Sequence, residues 1–90
     1  VTSGDVRVVT AKDGRTLVML NENFSFDGAP DPQISFGKGG KHDPSTLMGK
    51  LISNNGKQHY EVPAGVNVAD YTDVFVYCVK YNVPLGVASF

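Results

Sequence analysis

Short runs of β-branched and apolar residues, in places alternating with polar residues, recur along this chain, and turn-forming residues separate them. Alternation with a period of two predicts β-strands that bury one face, whereas no stretch shows the spacing of a long amphipathic helix. Residues 5–10 and 15–20 are two such runs, and Lys12, Asp13 and Gly14 lie between them. Because Asp-Gly favours a tight turn, this pattern predicts a first β-hairpin.

A second hairpin is predicted downstream, where residues 47–52 lead through Asn55 and Gly56 into residues 57–62. Asparagine and glycine accept the positive φ angles of a tight turn more readily than other residues do. The two flanking runs are therefore expected to pair with each other.

Two short strands are predicted between the hairpins, at residues 24–26 and 34–36. Residues 27–32 join them and contain one glycine and two prolines, which predicts a rigid corner. Glycine and proline are dense again in residues 37–44. We expect a loop there, because neither residue type supports a strand ladder.

The most apolar run of the chain, residues 74–81, contains its only cysteine, Cys78. Alternation places Cys78 on one face of a strand together with Val74 and Val76. The opposite face would carry four further apolar or aromatic side chains, Phe75, Tyr77, Val79 and Tyr81. Since both faces are apolar, this strand is expected to be central in its sheet and covered on both sides.

Shorter elements are predicted on either side of the cysteine strand. Residues 70–73 suit a short helical turn before it, and residues 86–90 suit a final strand after it. Together the runs predict an all-β fold, an antiparallel β-sandwich or flattened barrel of about seven to eight short strands. At this length, residues 1–90 are expected to form a single domain.

The charge of the chain narrows the classes of partner. Eight Lys and Arg residues against nine Asp and Glu residues give a net charge of −1, so nucleic acid is not expected as a partner. No run approaches the roughly 18 consecutive apolar residues of a membrane helix, so membrane insertion is not expected either. The chain starts at Val1 rather than at a methionine, and we expect a mature or trimmed fragment.

Cys78 has two possible uses that the residues alone leave open. A free cysteine packs well as a small hydrophobic side chain in a core. The same thiol could instead act in redox chemistry or as a ligand, in a pocket lined by Tyr77 and Tyr81 with Lys80 nearby. A lone cysteine cannot form an internal disulfide in either case.

Other candidate sites carry weaker signals. Asp27 and Asp31 place two carboxylates around a turn, as in some calcium sites, but Asp-Gly is also an ordinary turn. His42 and His59 lie in different segments without metal-ligand spacing, and exposed positions are expected for them. No hydrolytic motif is present, so independent enzymatic turnover has no support beyond the one thiol.

Three segments of the chain resemble the DM-thirteen domain, a small electron-transfer-type module. They are residues 23–31, residues 37–39 and residues 74–88. The most specific parts are the aromatic, Asp-Gly and Pro-Asp corner, and the apolar strand that carries one cysteine. The resemblance extends from the first hairpin to Phe90, almost the whole chain.

The resemblance implies a β-sandwich in an exported protein, periplasmic or extracellular, whose signature cysteine is matched by Cys78. It implies a redox role for this cysteine with an unidentified redox or protein partner, either as a bare thiol or as a ligand to a group such as haem. The chain lacks the Cys-x-x-Cys-His motif of covalent haem attachment, so a haem would be held non-covalently. His42 or His59 would be the conceivable second ligand.

A rival hypothesis is a non-catalytic, extracytoplasmic binding module with a structural, buried cysteine. In that case the sandwich would present the predicted loop at 37–44 and the acidic corner to a ligand or protein partner, as loops on rigid scaffolds commonly do.

Overall fold

The computed structural model describes residues 2–90, which form nine short strands and two short 3₁₀ helices. The strands are β1 (Thr2–Ser3), β2 (Val6–Thr10), β3 (Thr16–Leu20), β4 (Ser25–Phe26), β5 (Pro32–Lys38), β6 (Lys41–His42), β7 (Gln58–Glu61), β8 (Asp73–Cys78) and β9 (Val83–Ser89). The 3₁₀ helices are Pro44–Thr46 and Val68–Asp70. No helix within residues 2–90 has the length and apolar character needed to cross a membrane.

The strands form three antiparallel sheets. Their orders are β1-β4, β2-β3-β7 and β6-β5-β8-β9. The two larger sheets contribute the inward-facing side chains of one buried cluster, among them Val18, Tyr60, Ile34 and Val76. The predicted all-β, antiparallel class is confirmed, and several of the nine strands are pairs of residues too short to stand out in the sequence.

The first hairpin is confirmed. Strands β2 and β3 pair with Val8 opposite Val18, and the Asp13 carboxylate accepts a hydrogen bond from the Arg15 backbone N–H in the turn. Val6 and Val8 of β2 and Val18 and Leu20 of β3 lie at alternate positions of their strands, so one face of this hairpin packs into the core.

The second predicted hairpin is wrong. Strand β7 pairs with β3, and residues 47–52 run beside β5, where Met48 N–H donates to the Ile34 carbonyl at 2.8 Å. Two features explain this position. Thr46, in the 3₁₀ helix before the segment, accepts a hydrogen bond from Phe36 N–H of β5 and so holds the start of the segment beside β5. Gly49 has a φ of 100°, so the segment is not extended throughout, as a regular hairpin strand would be.

The predicted loop at 37–44 is a tight hairpin for most of its length. Lys38 pairs with Lys41, and Gly39 and Gly40 form the connection with φ angles of 58° and 81°. Two consecutive positive φ angles define the turn that best fits a two-residue hairpin, and two glycines adopt it without strain. Gly39 and Gly40, which led to the prediction of a loop, therefore form the turn of a hairpin.

The cysteine strand β8 is central, as predicted, between β5 and β9, and all six of its residues are buried. It ends at Cys78, however, so Val79 and Tyr81 lie in an exposed turn rather than on the strand. The 3₁₀ helix before β8 lies two residues earlier than the predicted helical turn. Strand β9 starts three residues earlier than predicted, at Val83.

Candidate functional site

Cys78 lies at the end of β8, opposite Pro32 of β5 and Val83 of β9. Its exposed fraction is 1%, and its Sγ donates a hydrogen bond to the Pro30 carbonyl oxygen at 3.1 Å. Strand alternation places it on the face that carries Val74 and Val76, which belong to the core. The sulfur is therefore enclosed at the rim of the core.

Residues 27–31, termed the corner from here on, cover the end of β8. The Asp31 carbonyl accepts a hydrogen bond from the Val79 backbone N–H at 3.2 Å, next to the contact between Pro30 and Cys78. Ala29 packs against the core, and Asp31 has a φ of 49°, a left-handed conformation that aspartate tolerates better than most residues do. The corner thus covers the thiol.

The carboxylates of Asp27 and Asp31 do not take part in the hydrogen bond of the Cys78 sulfur, which goes to the Pro30 carbonyl. The Asp31 side chain accepts a hydrogen bond from Gln33 Nε2 at 3.3 Å, and Asp27 is exposed. Within residues 2–90, no three or more His, Cys, Asp or Glu side chains are grouped so that they could hold a metal ion. A calcium site at Asp27 and Asp31 stays a prediction from the sequence.

The two tyrosines predicted to line a pocket around Cys78 lie elsewhere. Tyr77 is buried on the opposite face of β8, because neighbouring residues on a strand point to opposite sides. Its hydroxyl donates to Asn82 Oδ1 at 2.7 Å. Tyr81 is 61% exposed in the following turn, where the Lys80 ammonium lies 5.6 Å from the centre of its ring.

His42 is half-buried rather than fully exposed, and it forms a group that the sequence did not indicate. Its ring stacks on Tyr77 with ring centres 3.5 Å apart, and its Nδ1 lies 2.8 Å from the buried Ser35 hydroxyl. Burial lowers the pKa of His42, while the neighbouring Asp43 carboxylate partly opposes this shift. The Gly39-Gly40 turn could have revealed the position, because it folds His42 back opposite Gly37.

Neither histidine can act with Cys78 on one ligand. His42 shares its side of the four-stranded sheet with Tyr77 and Phe75, which is the side opposite Cys78. His59 is exposed on β7, in the other large sheet. Since the Cys78 sulfur is also covered by the corner, the residues present do not fit a haem ligated through Cys78.

Comparison with known proteins gives one match. The family model described as electron transfer DM13 matches residues 1–90, the whole chain. No curated protein and no solved structure matches the chain.

Proposed function

The chain belongs to the electron transfer DM13 family, and we propose that it is an electron-transfer-related module whose redox atom is the Cys78 sulfur, used as a thiol and covered by the corner. The observation that carries the proposal is the contact between the Cys78 thiol and the Pro30 carbonyl. It joins the two most distinctive segments of the chain, which lie 48 residues apart.

The position of Cys78 supports a role beyond core packing. The buried cluster between the sheets is built from other residues, and Cys78 lies at the strand end next to it. Because the Pro30 carbonyl contacts the sulfur, displacement of the corner is the movement that we propose uncovers Cys78 while the sheets stay packed. Local opening of this kind costs less free energy than global unfolding and occurs readily in segments held by few contacts.

The chemistry that we propose is thiol–disulfide exchange with a partner protein. When the corner opens, Cys78 loses its proton and its sulfur attacks one sulfur of a partner disulfide. A new S–S bond forms, the partner's S–S bond breaks, and the departing sulfur leaves with the bond's electron pair as a thiolate that takes up the released proton. Such partners persist in periplasmic or extracellular compartments, where we place the protein.

Thiol labelling in low concentrations of urea tests the proposal. Cys78 is the only cysteine, so every labelling event with a neutral thiol reagent reports on this residue. If the corner opens locally, the labelling rate should be almost independent of urea well below the unfolding transition. If Cys78 is only a core residue, the rate should rise with the full denaturant dependence of global unfolding.

Two variants sharpen this measurement. Pro30→Ala relaxes the corner, and we expect labelling to become at least threefold faster with little change in the urea midpoint. Val62→Ala is a matched control, because it weakens the buried cluster away from the corner and should change the midpoint but not the locally opened rate. Labelling that follows only global stability in both variants would refute the proposal.

A haem titration separates the ligand form of the hypothesis from the thiol form. We expect no Soret shift that depends on Cys78 when haemin is added to the wild-type protein and to Cys78→Ser. A shifted Soret band in the wild-type protein that Cys78→Ser abolishes would contradict the thiol form.

A further inference from the structure

Strand β9 is an edge strand, and part of its outer edge is open. It pairs with β8 on one side, and among residues 2–90 no strand pairs with its other side. The first half of this edge is protected, because Pro84 has no N–H group and the Leu85 carbonyl accepts a hydrogen bond from the Thr2 hydroxyl. For the second half, from Val87 to Ser89, residues 2–90 provide no such protection.

The direction of the backbone groups follows from one hydrogen bond. Phe90 N–H donates to the Thr72 carbonyl, so the backbone groups of Phe90 and Ala88 point toward β8. Those of Val87 and Ser89 therefore point outward, which presents two N–H and two C=O groups to an added antiparallel strand. Val87 is 53% exposed at this edge.

An apolar cleft lies directly beside this edge. It has a volume of about 60 Å³ and runs between residues 2–6 and the backbone of Gly86, Val87 and Ala88, with Val74 and Val76 among its lining residues. Since about 10–15 Å³ of such volume holds one water, the cleft can take one small aliphatic side chain. A side chain pointing inward from an added strand would reach it.

The charge around the cleft favours one kind of occupant. Among residues 2–90, Asp5 is the only charged residue of the lining, and its carboxylate also accepts a hydrogen bond from Asn23 Nδ2 at 2.8 Å. Strand β9 contains no charged residue. A strand with a lysine or arginine next to its aliphatic residue would complement Asp5. A second copy of β9 has no basic residue and would leave Asp5 without this complement.

We propose that the outer edge of β9 and the adjacent cleft form a strand-acceptor site for an extended, basic and aliphatic segment of a partner protein. Main-chain hydrogen bonds to Val87 and Ser89 would supply affinity, and the cleft and Asp5 would supply selectivity, as in other cases of strand addition to a sheet edge. The site is distinct from the Cys78 thiol.

Fluorescence anisotropy with labelled peptides tests this site. The probe is a blocked peptide of alternating valine and threonine with lysines at both ends, and two matched peptides carry glutamates in place of the lysines or N-methyl groups on alternate amides. We expect saturable binding of the lysine peptide, at least fivefold weaker binding of the glutamate peptide, and no binding of the N-methylated peptide.

Substitutions of Val87 distinguish the contribution of its backbone N–H group to binding from that of its side chain. Val87→Pro removes an outward N–H group and should weaken binding at least tenfold, whereas Val87→Thr keeps that group and should bind within twofold of wild type. Asp5→Asn should remove the preference for lysine over glutamate. Cys78→Ser should bind like wild type, so this test is independent of the proposed redox function.

Three results would overturn the proposal. They are the absence of saturable binding to the wild-type protein at millimolar peptide, equal binding of the N-methylated peptide, and undiminished binding to a folded Val87→Pro protein. A dimer detected by light scattering that Val87→Pro abolishes and Val87→Thr keeps would assign the edge to a second copy instead. Because the N-methylated peptide is tested on the wild-type protein, the result stands even if Val87→Pro does not fold.

Discussion

Thr46 shows how much one buried hydroxyl contributes to this small core. Its side chain is completely buried, and Oγ1 accepts a hydrogen bond from Phe36 N–H at 2.8 Å and donates to the Asp43 carbonyl at 2.7 Å. Thr46→Val keeps the shape but leaves the Phe36 N–H unpaired, whereas the Asp43 carbonyl still accepts the Thr46 backbone N–H. We therefore expect a loss of about 1–3 kcal/mol in the free energy of unfolding. Urea denaturation measures this loss. Thr46→Ser is the control that keeps the hydroxyl, and a valine variant more stable than the serine variant would contradict the prediction.

His42 should make stability depend on pH. Burial lowers its pKa below the ordinary value of 6.5, so near and below that value the unfolded chain binds more protons than the folded chain. Stability should therefore fall as the pH decreases through 6.5 and stop falling, for this group, below the folded pKa.

Urea midpoints at about pH 7.5 and about pH 5.5 measure the effect of His42, because an unperturbed histidine titrates between them. His42→Gln should reduce the decrease in midpoint between these two pH values. An equal decrease in wild type and His42→Gln would show that His42 is not the responsible group.

The β5–β6 hairpin depends on the absence of a side chain at Gly37. A Cβ atom there would overlap the Lys41 carbonyl oxygen and the Phe75 ring, whereas nothing lies within 4 Å of a Cβ at Gly39. We expect Gly37→Ala to cost roughly 2–3 kcal/mol, because the core is overpacked, and Gly39→Ala about 1 kcal/mol, because its φ is positive. Chemical denaturation of both variants checks the order, and equal costs would contradict this account.

At the scale of elements, the sequence predicts those strands and turns that neighbouring residues determine. The first hairpin follows from Asp13-Gly14 and the flanking β-branched and apolar runs, and the central place of β8 follows from apolar residues on both of its faces. The position of residues 47–52 does not follow from neighbouring residues, because hydrogen bonds to β5 determine it. The end of β8 at Cys78 depends likewise on the turn that follows, which Asn82 makes with a φ of 55°.

The candidate site was predictable only in part. The family resemblance singles out Cys78 and the corner, but the hydrogen bond between Cys78 and Pro30 joins residues 48 positions apart, and no periodicity encodes such a contact. The grouping of His42, Tyr77 and Ser35 likewise needs the register between β5, β6 and β8. Alternation alone does separate Tyr77 from Cys78, since adjacent strand residues face opposite ways.

The whole molecule is predicted to unfold as one domain. The buried cluster takes residues from both larger sheets, so neither sheet keeps its apolar face covered if the other unfolds. We expect circular dichroism and the fluorescence of the four tyrosines to give the same urea midpoint and denaturant dependence. Two separate transitions would contradict the prediction of a single domain over residues 1–90.

The hydrogen bond from Cys78 to Pro30 also sets a kinetic ceiling for the proposed exchange. A sulfur that reacts only after the corner lifts cannot react faster than the corner lifts, however concentrated the partner becomes. The observed rate would rise with partner concentration and then reach a plateau equal to the opening rate. At that plateau, a higher concentration of any oxidant would not speed the reaction further, and the opening rate of the protein would set how fast Cys78 is oxidised.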